Sequence, residues 1–268
     1  MRKTMCVIIL IVLSFTLSNA YAEKIFDWFS DLGSDKSEFE FELDSDGNSY
    51  CLIDYNQSRN SSSEIIIPST YNDLPVTKIG SRAFYACKKI ESIIIPEGIK
   101  TIGSTAFFHC ENLKCVQFPQ SLYSIGESAF EGCDSLEEVY IPDATEIGWE
   151  AFYECENLTS VGIGVESEGI VIGASTIDCY AFSKCPNLET VTLGKSVTYI
   201  DESAFNSCDN LTTVNLTRNI NTIESLAFAY CYNLKTINFD GTNGQWKAIR
   251  KISWWDKGAN SYEVICSR

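Results

Sequence analysis

The stretch Ile95–Pro119 reads IPEGIKTIGSTAFFHCENLKCVQFP. Its order is a turn, an isoleucine, an Ala-Phe pair, a cysteine three residues after the Phe, a leucine three further on, and an alternating apolar tail. Outward along the chain the same order recurs. The pair stands at Ala83-Phe84, Ala106-Phe107, Ala129-Phe130, Ala151-Phe152, Ala181-Phe182, Ala204-Phe205 and Ala227-Phe228, followed by Cys87, Cys110, Cys133, Cys155, Cys185, Cys208 and Cys231. Successive cysteines are 23, 23, 22, 30, 23 and 23 residues apart. Each unit ends in a segment such as KKIESIIIP or DSLEEVYIP, whose β-branched alternation reads as a short strand. Units of this length with one strand each cannot bury their apolar side alone and must stack on one another.

The predicted fold is therefore a repeat solenoid of leucine-rich-repeat type, with a parallel β-sheet on one face and about seven coils of 22–23 residues over 78–239. The repeated Ile, Ala, Phe, Cys, Leu and strand apolars point inward, and the variable positions face water. Ile102-Gly103, Ile125-Gly126 and Ile147-Gly148 resemble corners where glycine supplies unusual backbone angles, although Asp201 and Glu224 hold the same place later. The seven repeat cysteines fall one per coil among apolar neighbours, and their parallel Cβ vectors are poorly placed for disulfide torsions. They are expected to be buried, reduced thiols.

Flanking the array, Phe39–Leu43 and Ser49–Tyr55 alternate around the turn Asp44-Ser45-Asp46-Gly47-Asn48, so 39–77 should form a hairpin cap and lead-in strand. Residues 240–268, rich in Trp, should close the other end. Residues 1–22 join a basic start, an apolar run and Ala20-Tyr21-Ala22, the layout of a secretory signal with a mature N-terminus at Glu23. Residues 23–38 read as an acidic, mobile leader. About seven extra residues near 165–176 account for the one long interval. They are either a tolerated surface loop or part of a binding edge.

With the repeat laid out, IPEGIKTIGSTAFFHCENLKCVQFP resembles the unit of the BspA-type leucine-rich-repeat family of bacterial and protist surface proteins. FEFELDSDGNSYCLIDY, IIIPSTYNDLPVTKIG, INFDGTNGQWKAI and WWDKG are similar to the elements that open and close such arrays, so the resemblance runs from about Phe39 to the C-terminus. It implies a surface or secreted protein, some of whose relatives act as adhesins.

Composition narrows the function. Loss of the signal removes two cations and no anion, taking the formal charge from −16 to −18. A chain this acidic has no basic face for nucleic acid and is repelled by anionic membranes. A 45% hydrophobic content supports a packed core, and no second apolar run suggests stable membrane insertion. The single histidine, His109, has no Ser or Asp in a triad relation, the cysteines lack zinc-type spacing, and DSDGN lacks the remainder of a calcium loop. Asn-x-Ser/Thr triplets begin at Asn56, Asn60, Asn157, Asn210 and Asn215. An enzyme is not expected, nor a cofactor or metal. The expected role is a binding or adhesion module for a protein or glycan, the alternative being a structural or self-assembling envelope protein. Specificity would reside where the repeat leaves positions free, on the outward strand residues Gln117, Glu138, Tyr140, Thr190, Thr192, Thr213, Asn215, Thr236 and Asn238. Thr and Tyr also simply favour strands, which is the competing explanation for their presence.

Overall fold

The computed structural model describes residues 38–56, 62–143, 145–164 and 175–267. Residues 1–22, expected to be a signal, residues 23–37 of the expected leader and positions 165–174 of the expected insertion lie outside the described residues. What is described is a stacked solenoid, and it differs from the expected one in two respects: it has more turns, and its strands line two sides of the coil.

The first side is a sheet of short strands. Its order runs Phe39–Leu43, Tyr50–Tyr55, Leu74–Ile79, Thr101–Ile102, Ser124–Ile125, Glu146–Ile147, Ser175–Ile177, Val197–Ile200, Thr222–Ile223 and Arg250–Lys251. All its pairs are parallel except the hairpin at the start and the side strand Thr70–Tyr71 against Leu74–Ile79. Counted from Tyr50–Tyr55, it contains nine rungs, against the seven coils carrying Ala-Phe. The second side holds the longer strands at the unit tails. They form one sheet from Glu64–Ile66, Ser92–Ile94 and Cys115–Gln117, and another from Glu138–Ile141 through Ser160–Ile163, Thr190–Leu193, Thr213–Thr217 and Thr236–Asp240 to Glu263–Cys266.

Between the two sides lies the Ala-Phe turn, which forms a third ladder. The residue before each repeated alanine, Arg82 through Leu226, and the residue before each repeated cysteine, Ala86 through Tyr230, have left-handed backbones with φ of 50–66°. Only Gly132 among these fourteen is a glycine. The corner glycines Gly103, Gly126 and Gly148 are not left-handed, in keeping with the acids Asp201 and Glu224 at the same place in later coils. At two of them the approach of the preceding coil leaves no room for a side chain: a Cβ on Gly103 would lie 2.6 Å from Ser81 N and one on Gly126 2.8 Å from Ser104 N. Left-handed L-residues cost about 1 kcal/mol or more each, so something must hold them. Their amides do, by donating along the stack, as Thr105 N does to Glu127 O (2.8 Å) and His109 N to Glu131 O (2.8 Å), with Phe107 N donating to Ala129 O between them (2.7 Å).

The core is a column. Phe84, Phe107, Phe130, Phe152, Phe182, Phe205 and Phe228 are fully buried and stack at centroid spacings of 4.8–5.3 Å, with rings within 12° of parallel. Tyr55 of the hairpin stacks on Phe84 at 5.0 Å, and Trp255 meets Phe228 edge-on at 6.1 Å. Residues 240–267 wind as one more coil beneath that Trp. Trp254 and Gly258 take the two left-handed places, Phe228 N donates to Trp255 O, and Tyr230 N donates to Lys257 O. Its one addition is the helix Asn243–Ala248, started by Thr242 and Gln245 in a reciprocal capping box.

The thiols sit beside the rings. Cys110, Cys133, Cys155, Cys185, Cys208 and Cys231 each donate to the carbonyl of the Phe one coil earlier, at 3.1–3.3 Å. All seven repeat cysteines are free and buried. Burial pushes Cys87, Cys185 and Cys231 up to about 12 and holds Cys133, Cys155 and Cys208 well above the ordinary thiol range. Some variable positions also face the stack. The asparagine two residues after a repeat cysteine donates through Nδ2 to the preceding coil, from Asn112 to Lys88 O (2.7 Å), Asn157 to Asp134 O (2.7 Å) and Asn233 to Asp209 O (2.9 Å).

Two outcomes follow. Phe152→Ala, at the middle of the column, should lower unfolding free energy by roughly 3–5 kcal/mol in urea titration, and Phe152→Leu by clearly less. In native protein, iodoacetamide should modify the half-buried Cys51, Cys115, Cys179 and Cys266 first, leaving the seven repeat thiols unlabelled up to pH 9 until denaturant is added.

Candidate binding face

The longer strands place alternate residues outward because side chains in a strand alternate faces. Glu138–Ile141 shows this directly, with Glu138 and Tyr140 exposed and Val139 and Ile141 buried. Parallel register then aligns equivalent residues into columns. One runs Glu138, Ser160, Thr190, Thr213, Thr236 and Glu263, and the other runs Tyr140, Gly162, Thr192, Asn215, Asn238 and Ile265. Eight of the nine residues expected at a site thus share one continuous sheet.

Gln117 does not. It belongs to the three-stranded sheet, which stops at Cys115–Gln117 without pairing to Glu138–Ile141. Its Oε1 is buried and has no hydrogen-bond partner among the described residues. Around this break the strand sits less deeply, with Val116 and Phe118 at 7% and 8% exposure where the equivalent Val139 and Ile141 have 0% and 2%.

The polar column is organised internally. Asn238 Nδ2 donates to Asn215 Oδ1 (2.7 Å), and Asn215 Nδ2 donates to Thr192 Oγ1 (2.9 Å). The chain of amides leaves each residue half-buried, with a fixed orientation and spare lone pairs or donors towards solvent. Tyr140 is 52% exposed, and its hydroxyl donates to Glu138 Oε2 at 3.4 Å. The threonines of the other column remain half-buried beside it, Thr213 Oγ1 lying 3.4 Å from Thr212 Oγ1.

Next to the amide column is an open groove of about 340 Å³, lined by Thr192, Asn215 and Asn238 together with Thr217, Asp240 and Ile265. The last three were not singled out from the sequence. Asp240 is fixed there by Arg218 Nη2 (2.9 Å) and Ser267 Oγ (3.1 Å). Ile265 enters because residues 240–267 continue the repeat, a continuation hidden by the loss of the Ala-Phe-Cys signature.

Acidic groups crowd the turn side of the middle coils. Burial, then Glu131 and Glu127, raise the carboxyl of Glu150, while burial, then Glu156 and Glu111, raise that of Asp134. A raised folded-state carboxyl favours folding below its unfolded value and loses that contribution as pH climbs through the folded one, so these groups oppose stability at neutral pH. Asp178, Cys179 and Asp201 also lie together at two corners, within 4.8 Å. Two of their carboxylate oxygens accept corner amides, Cys179 N at 2.8 Å and Glu202 N at 2.7 Å, which accounts for the acids there. His109 packs edge-on against Phe108 and over Gly132, where a Cβ would come within 2.4 Å of its Nδ1.

Known proteins agree with this geometry. The repeat family described as BspA type leucine rich repeat region matches in six copies, over residues 55–170 and 170–249. The chain belongs to the BspA-type leucine-rich-repeat family. A leucine-rich-repeat protein of T. pallidum is similar in structure, with a TM-score of 0.54 at 21% identity over 87% of this chain and 85% of that one, a likeness of fold alone. A leucine-rich-repeat protein of Bacteroides capillosus is 30% identical over 49% of this chain and 97% of that one, with a TM-score of 0.45. No curated protein matches significantly. Among the described residues no helix is long and apolar enough to cross a membrane.

Asn215→Ala breaks both side-chain hydrogen bonds of the amide column, so in this family member it should cost about 1 kcal/mol or somewhat more in urea titration. Thr213→Ala, which touches no inter-coil side-chain bond, should fall within about 0.5 kcal/mol of wild type.

Proposed function

We propose that the chain is a secreted or surface-exposed binding module that recognises a protein or a glycan through the C-terminal half of its longer-strand face. The observation that carries this is the oriented column Thr192, Asn215 and Asn238, flanking an open groove, with the exposed Tyr140 on the same sheet. A row of hydrogen-bonding groups repeating at strand spacing suits an extended partner with its own regular donors and acceptors, a peptide strand or a sugar chain. An exposed tyrosine supplies apolar area with a polar tip, the kind of group that often dominates affinity. Membership of a family of surface proteins supports the location, as does the signal-like start at residues 1–22. An adhesive role is the form of binding that best suits such a location. The acidic charge argues against nucleic acid as the partner.

The test is capture of partners from matrix protein and glycan panels with the secreted chain, whose mass should correspond to an N-terminus at Glu23. For any saturable partner, Tyr140→Ala should weaken binding by about 1–2 kcal/mol while leaving the urea midpoint unchanged. Unaltered affinity in both Tyr140→Ala and Asn238→Ala would remove the longer-strand face as the site.

A further inference from the structure

We propose that copies of this chain associate head to tail, the C-terminal coil of one docking on the N-terminal hairpin of the next. The binding surface is the pair of solenoid ends; at the tail it shares Ile265 with the groove of the longer-strand face, while the charged residues it uses lie off that face.

Each end presents sheet edges. At the head the outermost strands are Phe39–Leu43 and Glu64–Ile66, and at the tail they are Arg250–Lys251 and Glu263–Cys266. An outermost strand has backbone donors and acceptors on one side that no strand of its own sheet satisfies, and it templates pairing unless something blocks it. Charge on the edge is the usual block. Here the charge has opposite sign at the two ends. Residues 38–56 carry six carboxylates, Glu38, Glu40, Glu42, Asp44, Asp46 and Asp54, and no cation. Residues 241–267 carry the four cations Lys247, Arg250, Lys251 and Lys257 against two anions, Asp256 and Glu263.

Some of these charges are already engaged within the chain. Asp44 pairs with Lys78, Lys251 Nζ donates to Trp246 O, and Lys257 lies over Tyr230 and Trp254. Glu40 and Glu42 at the head and the exposed Lys247 and Arg250 at the tail have no ion pair among the described residues. Two heads brought together oppose carboxylates, and two tails oppose cations. On the short-strand side, where Phe39–Leu43 and Arg250–Lys251 are the edges, only head against tail is complementary; the longer-strand edges carry one acid each, Glu64 and Glu263. The overall charge of −16 does not overturn this, because at about 0.1 M salt charges more than ~10 Å apart are largely screened and the contacting ends decide.

The apolar surface follows the same division. The three exposed large aliphatic side chains among the described residues are Leu43 and Ile53 at the head and Ile265 at the tail, where Trp254 is also 69% exposed. The last coil turns Trp255, Tyr262, Val264 and Cys266 inward but leaves them only partly buried. A further coil, or something shaped like one, would complete that burial. Because the joined surfaces differ, the contact is heterologous and extends into open chains of copies instead of closing on a dimer.

Sedimentation velocity on the secreted chain tests this. At about 0.1 M salt the weight-average mass should rise with protein concentration, and further NaCl should reverse the rise. Glu40→Lys/Glu42→Lys and Lys247→Glu/Arg250→Glu should each weaken self-association by about tenfold or more while keeping the wild-type melting curve. Mixing the two variants should restore association, since each supplies the end the other lacks. A chain monomeric at every concentration at about 0.1 M salt overturns the proposal. So does association that survives both charge reversals, or a variant mixture that stays monomeric.

Discussion

Ring stacking at the coil centre is the constraint on which the other features depend. The phenylalanine spacing of 4.8–5.3 Å matches the separation of hydrogen-bonded strands, so one repeat distance satisfies the rings and the ladders on the other sides together. A residue larger than alanine beside the ring, or a side chain larger than a thiol behind it, would separate the coils and stretch every ladder. The cysteine thus has a physical reason: it fills a small apolar space and carries a weak donor for the carbonyl one coil back. Coil length is freer, since 22-, 23- and 30-residue intervals all return the next Phe to the same axis.

Sequence periodicity revealed this column because the interior of a stack is the same environment repeated. The ends are different environments, and there the signature fades. Trp255 replaces an alanine and Ala259 replaces a cysteine in the last coil, so the rungs beyond the seven Ala-Phe units were not visible from the pattern. Two-residue strands such as Thr101–Ile102 also leave too little alternation to announce a second sheet. The left-handed turn positions escaped for another reason: residues as unlike as Thr105, Glu150 and Lys184 occupy them, because the inter-coil bonds and not residue preference enforce the conformation.

On the candidate face, alternation was enough to show which residues point outward, and eight of the nine stand together. What alternation does not encode is whether polar neighbours satisfy one another. Asn215 joins its two neighbours only because parallel register sets equivalent side chains about one strand spacing apart, a fact of the assembled sheet. Gln117 has the same sequence credentials as Tyr140, yet the ladder between their coils is interrupted. The groove beside Asp240 and Ile265 needed the final coil to be recognised as a coil.

That interruption has a mechanical consequence. Backbone hydrogen bonds between coils point along the solenoid axis, so tension applied to the two ends loads every junction in series and shares it, within a junction, among the ladders present. The junction between the coils of Gln117 and Tyr140 keeps its corner and turn ladders, through Thr101–Ile102 with Ser124–Ile125 and through Phe107 N with Ala129 O, but lacks the paired strands of the longer-strand side. Among the described residues it is the one junction without paired strands on that side, where Glu137 N still donates to Lys114 O at 3.4 Å. Under stretching, as between two anchored surfaces, the molecule is expected to part there first, yielding two shorter stacks and giving the first rupture event in a force-extension trace.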